Sequence, residues 1–189
     1  MPKDYQIPDS AYKFYGTGIF ENISPGLDEI NSFLESIKTY YQPKVTPIHI
    51  SCRYFGYCDE VPEEKIEFLI PALKTVYKKY LPLDCYASGL YGSWEKKLIA
   101  GRHLLMLEVR SEKLKELHLE LMAATKAFGD FMAVQGKNFR PHISVGHLRE
   151  EFKQVPPEII EFVNNAELPE CKFTFTKCYI YTPKGYREI

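Results

Sequence analysis

Two short motifs with the same residues carry the groups of this chain that are best suited to chemistry. They are His-Ile-Ser tripeptides that begin at His49 and His142, 93 positions apart in a chain of 189 residues. An imidazole with an ordinary pKa near 6.5 can accept or donate a proton at neutral pH, and each role is worth about 10²–10⁴-fold in rate. The hydroxyls of Ser51 and Ser144 can donate to oxygens on which negative charge develops. Two such pairs facing one groove predict proton transfer around a phosphate, with no metal or other cofactor.

Both motifs lie in segments typical of β-strands, in which every second side chain points to the same face. Regular alternation places Arg53 on the face of His49. It also places Gly146 on the face of His142, where a glycine leaves space for a ligand. His147 is expected on the opposite face of the same strand and is interpreted as a structural residue.

Four residues outside the motifs are candidates for substrate binding, and each has a structural alternative. Arg53 would neutralise a phosphate, or it would be a surface charge at the end of a strand. Trp94 would stack on a base, a contact worth about 1–3 kcal/mol, or it would pin a polar turn onto its lobe. Phe139 and Arg140 directly precede the second motif and would form either a lid over the groove or an ordinary solvated loop.

Hydrophobic periodicity predicts two rounds of strand and helix that would position these motifs. Residue pairs such as Ser24-Pro25 are typical of helix starts. His103, at the start of a strand, and His118, beside the apolar stripe of a helix, are interpreted as packing residues. The predicted strands cover residues 13–20, 47–55, 84–91, 102–110, 142–148 and 172–182, and helices are predicted to follow Ser24, Pro62, Ser111 and Pro156.

This repeated plan predicts an α+β protein that forms a single domain over residues 1–189. Two lobes of about residues 11–91 and 102–182 would be related by a pseudo-twofold axis. Each lobe would be an antiparallel sheet with helices on its outer face. The groove between the lobes would hold the active site.

The composition restricts the class of partner. A net charge of −1 argues against binding to extended nucleic acid, which relies on a basic surface, and favours a small or terminal phosphate. No segment approaches the roughly 18–20 apolar residues of a membrane span, and the first residues have no apolar signal core. We therefore expect a cytoplasmic monomer with no membrane partner, whose five cysteines are reduced and packed as small apolar residues.

The two motifs and their surroundings resemble those of the two-histidine (2H) phosphoesterase superfamily. This superfamily includes the 2′-5′ RNA ligase-like proteins and the 2′,3′-cyclic nucleotide phosphodiesterases. Its first motif is typically followed by an aromatic residue, a glycine and an acidic helix opened by proline, as in HISCRYFGYCDEVPEEKIEFLIPAL here. Its second motif is often preceded by proline, as in RPHISVG. The resemblance implies that His49 and His142 are the acid and base, and that Ser51 and Ser144 bind the phosphate.

The function expected from these observations is metal-independent cleavage of a cyclic or 2′-linked nucleotide phosphodiester. The substrate would be a nucleotide or an RNA end, and which histidine is the acid stays open. Two alternatives use the same chemistry: hydrolysis of cyclic or 2′-5′ oligonucleotide messengers, as in some viral and phage relatives, and the processing of RNA ends. An alternative of another class is a protein that binds nucleotides or RNA ends without turnover.

Overall fold

The computed structural model describes residues 14–22, 24–43, 48–93, 103–128, 139–152, 154–182 and 185–189. These residues form strands β1 (Phe14–Glu21), β2 (Tyr41–Pro43), β3 (Ile48–Tyr57), β4 (Leu83–Gly92), β5 (Leu104–Arg110), β6 (His142–Leu148), β7 (Lys172–Phe175), β8 (Lys177–Thr182) and β9 (Gly185–Glu188). They also form helices α1 (Pro25–Phe33), α2 (Glu63–Tyr80), α3 (Glu112–Ala124) and α4 (Pro157–Asn164), and two short 3₁₀ turns (Leu34–Ile37 and Lys126–Phe128).

The strands make two antiparallel sheets, so the predicted α+β class is confirmed. The first sheet has the order β3-β1-β8-β9, and the second has the order β2-β6-β5-β4-β7. Strand β3 of the first sheet contacts β6 of the second, which brings the two motif strands together where the sheets meet.

The sheets do not follow the two halves of the chain. The C-terminal strands β8 and β9 extend the first sheet, whereas β2 and β4 from the first half belong to the second sheet. The two sheets therefore do not coincide with the predicted lobes of about residues 11–91 and 102–182. The segment 172–182, predicted as one strand, is two strands in different sheets, because the chain leaves the second sheet at Phe175 and enters the first at Lys177.

The helices bury the apolar stripes that their sequences predict. Helix α2 begins after Pro62 and has two glutamates in its first turn and two lysines in its last turn. These charges complement the helix dipole. Helix α2 packs against α3, and both helices direct buried aliphatic side chains at the sheets. Within the described ranges, no helix combines the length and the apolar character needed to cross a membrane.

Two polar side chains of the core tie helix α2 to the first sheet. Thr17 of β1 is fully buried, and its hydroxyl donates to the carbonyl of Tyr179 at 2.6 Å. The hydroxyl of Tyr77 on α2 lies 3.0 Å from the hydroxyl oxygen of Thr17 and ties the helix to the first sheet. The five cysteines form no disulfide and four of them are buried, as the sequence predicts.

Candidate active site

The first motif occupies the start of β3, an edge strand. His49 and Ser51 are half-buried on one face, while Ile48 and Ile50 are fully buried on the other. Ser51 lies opposite Gly18 of β1. A Cβ on Gly18 would lie 2.1 Å from the carbonyl oxygen of Ile50 and 2.7 Å from the hydroxyl of Tyr179, so only glycine fits here. This glycine allows the Tyr179 hydroxyl to lie close to the first motif.

A β-bulge follows Ser51 and reverses the faces of the next paired residues, Arg53 and Tyr54. Gly18 pairs with Ser51, but the preceding residue of β1, Thr17, pairs with Arg53, which leaves Cys52 as the extra residue. Residues directly opposite each other on antiparallel strands share a face, so Arg53 lies on the face away from Ser51. It is 1% exposed and its Nε donates to Thr125 Oγ1 at 3.0 Å. The prediction that Arg53 shares the face of His49 is therefore wrong.

Tyr54 occupies the position on the first-motif face that regular alternation assigned to Arg53. It pairs with Gly16, which lies on the same face of β1 as Gly18. Its ring lies 5.9 Å from that of Tyr181 on β8. An aromatic side chain, rather than a cation, thus extends the face that carries His49 and Ser51.

The second motif is followed by the same irregularity. Ser144 pairs with Met106 and Gly146 pairs with Leu105, which leaves Val145 as the extra residue of β6. Gly146 consequently lies on the core face, where a Cβ would be 1.9 Å from the ring of Tyr41. The predicted groove-facing position of Gly146 is wrong.

His147 changes face for the same reason. It lies opposite Leu104 on the same face of the sheet as Ser144 and is half-buried. The interpretation that His147 points away from the motif is wrong. Because the extra residue follows the serine in both strands, the two motifs match in backbone shape as well as in sequence, which agrees with the expected pseudo-symmetry.

The ring of His142 is oriented by the backbone before it. Its Nδ1 lies 3.0 Å from the carbonyl oxygen of Arg140. A carbonyl can only accept, so Nδ1 carries the hydrogen and the neutral ring has its lone pair on Nε2. This arrangement suits proton transfer at Nε2.

His49 lies in a cluster of tyrosines. Its ring is 5.8 Å from Tyr179 in an edge-on contact and 5.3 Å from Tyr186 of β9. Its Nε2 is 3.4 Å from the hydroxyl of Tyr186. Sequence reasoning missed Tyr186 because strand β9 was not predicted. The two-residue spacing of Tyr179 and Tyr181 is the sequence feature that indicates an aromatic face on this strand.

The phenols of Tyr179 and Tyr181 are fully buried beside the first motif. Burial raises the pKa of both groups well above the ordinary value, and the neighbouring Ser51 hydroxyl acts in the opposite direction. The two phenols packed beside the first motif are therefore uncharged at physiological pH.

A cation lies beside the second motif. The guanidinium of Arg140 stacks at 4.0 Å on the ring of Tyr91 and makes two hydrogen bonds to Glu108, at 3.0 and 3.1 Å. Glu108 pairs with His142 across the ladder, and the ring of Tyr91 lies 6.2 Å from that of His142. Hydrogen bonds to Glu108 raise the pKa of Arg140. The structure thus places the candidate Arg140 next to His142, already paired with a carboxylate.

Phe139 packs against helix α3. Its ring stacks on His118 at 4.0 Å and 8°. His118 is 1% exposed, as expected of a packing residue, and its Nδ1 lies 2.7 Å from the carbonyl oxygen of Cys52 in the first bulge. The lid role considered for Phe139 stays a prediction. Trp94, the remaining candidate, lies outside the described residues.

Comparisons with known proteins identify the fold. No family model and no curated protein matches this sequence. Usb1 of Kluyveromyces marxianus matches with a TM-score of 0.58 at 9% identity over 94% of this chain and 97% of that protein. TT0787 of Thermus thermophilus matches with a TM-score of 0.54 at 16% identity over 93% of both chains. LigT of E. coli, complexed with NADP+, matches with a TM-score of 0.50 at 14% identity over 95% of both chains.

These matches cover nearly the whole of each chain at low identity, so they establish a shared fold. The expected α+β fold is confirmed, and Usb1 and TT0787 share it. The activity and the roles of individual residues need the separate argument that follows.

Proposed function

We propose that this protein is a metal-independent phosphodiesterase that cleaves a cyclic or 2′-linked nucleotide phosphodiester with its paired His-Ile-Ser motifs. The observation that carries the proposal is the matched shape of the two motif strands. Each presents a half-buried histidine and serine on one face and then bulges at the next residue. The two strands contact each other where the sheets meet, which favours one site served by both pairs.

The proposed reaction needs two proton transfers and no covalent enzyme intermediate. One histidine takes a proton from water or a ribose hydroxyl as its oxygen bonds to phosphorus. The other gives a proton to the leaving oxygen as its bond to phosphorus breaks. Ser51 and Ser144 donate hydrogen bonds to the non-bridging oxygens. The carbonyl of Arg140 holds His142 in the tautomer that reacts through Nε2.

The lining of the site supports a small nucleotide or an RNA end as substrate. Neutral phenols pack beside the first motif, and the cation beside His142 is paired with Glu108. Such a lining suits one phosphodiester and an aromatic base better than a long polyanion. Structures of the same fold hold uridine monophosphate in Usb1 and NADP+ in LigT, and both of these ligands are nucleotides. We also propose that the protein acts as a cytoplasmic monomer.

Turnover in EDTA of a substrate panel tests the proposal. The panel contains 2′,3′-cyclic mononucleotides, an RNA with a cyclic-phosphate end, 2′-5′ oligoadenylate and cyclic oligonucleotides, and products are separated by chromatography. We expect at least one substrate to be cleaved at the same rate with and without EDTA. Binding without cleavage of every member would instead indicate a nucleotide-binding protein. Loss of activity in EDTA would overturn the metal-independent mechanism.

A further inference from the structure

Strand β9 brings the hydroxyl of Tyr186 close to Nε2 of His49. Strand β9 pairs with β8 so that Tyr186 lies opposite Tyr181 on the face of the first sheet that carries His49. The Tyr186 hydroxyl lies 3.4 Å from Nε2 of His49. This distance is longer than an ordinary hydrogen bond, and catalytic contacts commonly tighten when a substrate binds.

The ring of Tyr186 is held by aromatic neighbours. It meets the ring of Tyr179 at 4.9 Å and 70°, and the ring of Tyr181 at 5.9 Å and 66°. It also lies 5.3 Å from the imidazole of His49. Edge-to-face contacts of this kind fix a ring without involving its hydroxyl. Packing therefore sets the position of the ring, and with it the 3.4 Å separation of the hydroxyl from Nε2.

We propose that Tyr186 is a catalytic residue that shares one substrate oxygen with His49. The inference rests on the proposed function. An oxygen bound to Nε2 at an ordinary hydrogen-bond length of about 2.8 Å can lie at the same distance from the phenol oxygen, since those two atoms are 3.4 Å apart. The substrate oxygen then has two protein partners, the imidazole and the phenol.

The chemistry of the phenol indicates which substrate oxygen it contacts. Its O–H donates most strongly to an oxygen that gains negative charge, which is the leaving oxygen as its bond to phosphorus breaks. His49 would give its proton to that oxygen, while Tyr186 keeps its own proton and contributes only a hydrogen bond. His142, whose neutral ring has its lone pair on Nε2, would then take the proton of the nucleophile.

The variant Tyr186→Phe tests the inference because it removes the hydroxyl and keeps the ring that packs in the cluster. Rates are compared for a cyclic nucleotide, whose leaving group is a ribose alkoxide, and for a nucleoside p-nitrophenyl phosphodiester, whose leaving group needs little stabilisation. We expect kcat for the first to fall about 10²-fold with KM within roughly twofold, and kcat for the second to fall less than about fivefold. Tyr40→Phe, whose ring packs on Phe152 at 5.5 Å, is the matched control and should keep full activity.

Three results would overturn the inference. They are full activity of Tyr186→Phe on the cyclic nucleotide, an equal loss on both substrates, and a rise in KM at unchanged kcat. An inactive wild-type protein would instead refute the proposed function, and the inference with it. Circular dichroism of both variants establishes that a loss of rate is not a loss of fold.

Discussion

Replacing Gly146 with alanine tests the bulge that gives the second motif strand its shape. In the bulged strand the new Cβ would lie 1.9 Å from Cε2 of Tyr41 and 2.6 Å from the carbonyl oxygen of Gln42. Carbon atoms are in contact at about 3.5–4.0 Å, so the overlap approaches 2 Å. Tyr41 is 3% exposed, so its ring is enclosed by close-packed neighbours. Since overpacking ordinarily costs about 1–3 kcal/mol, we expect Gly146→Ala to lower the free energy of unfolding by about 3 kcal/mol or more.

Urea denaturation measures this cost as a shift in midpoint at unchanged slope. Gly89→Ala is the matched control, because its Cβ would lie 3.2 Å from Oε2 of Glu108, the end of a flexible side chain. We expect this control to change the free energy of unfolding by less than about 1 kcal/mol. A regular strand would instead place Gly146 on the open face. Alanine there would raise the free energy of unfolding by about 0.4–1 kcal/mol, because it lowers the conformational entropy of the unfolded chain. Unchanged or increased stability of Gly146→Ala would therefore refute the bulge.

Three further predictions concern buried hydrogen bonds, alkaline pH and the cation of the site. His118→Phe should lower the free energy of unfolding by about 1–3 kcal/mol, because it removes the ring nitrogen that donates to the buried carbonyl of Cys52. His118→Asn, which keeps a donor, should recover part of the lost stability. Equal stability of the wild type and both variants in urea would contradict this. Burial raises the pKa of Tyr41 and of Tyr91 to about 12, so these phenols ionise at lower pH in the unfolded chain than in the folded protein. Their contribution to stability is therefore complete below pH 10 and is lost as the pH rises through 12. In a pH titration, phenolate absorbance of the folded protein should rise at higher pH than that of the denatured protein, and coincident titrations would contradict this. Arg140→Ala should raise KM for the nucleotide substrate. It should change the free energy of unfolding by less than about 1 kcal/mol, because its ion pair with Glu108 is exposed. An unchanged KM together with a large loss of stability would instead assign Arg140 a structural role.

Much of the fold follows from the sequence, because strand and helix patterns are local. Strand β6 has the predicted bounds, and the four helices begin at or next to the predicted residues. The partners of the strands are not local. Nothing in the alternation of residues 172–182 indicates that the segment divides at Thr176 between two sheets.

The wrong face assignments of Arg53, Gly146 and His147 share one physical cause. Regular alternation assumes that every residue of a strand pairs, and one extra residue reverses the face of all residues beyond it. Cys52 and Val145 are ordinary apolar residues that do not indicate a bulge. The histidines and serines precede the bulges and were placed on one face correctly, whereas Arg53 and His147 follow them and were not.

The contribution of Tyr186 depends on long-range pairing. Its strand lies at the end of the chain, and the β8–β9 and β1–β8 ladders bring it to His49, 137 residues away in sequence. His118 reaches the first bulge in a comparable way, from a helix 66 residues further along the chain. Contacts of this kind arise from the fold and cannot be read from a motif.

The rates of His49→Ala and His142→Ala in EDTA, on the best substrate of the panel, test the central claim most directly. Each histidine supplies one of the two proton transfers, so each variant should lose about 10²–10⁴-fold in kcat. Both side chains are only half-buried, so both variants should keep the wild-type circular dichroism spectrum and urea midpoint. If either folded variant retained the full wild-type rate, the paired acid–base mechanism would be wrong.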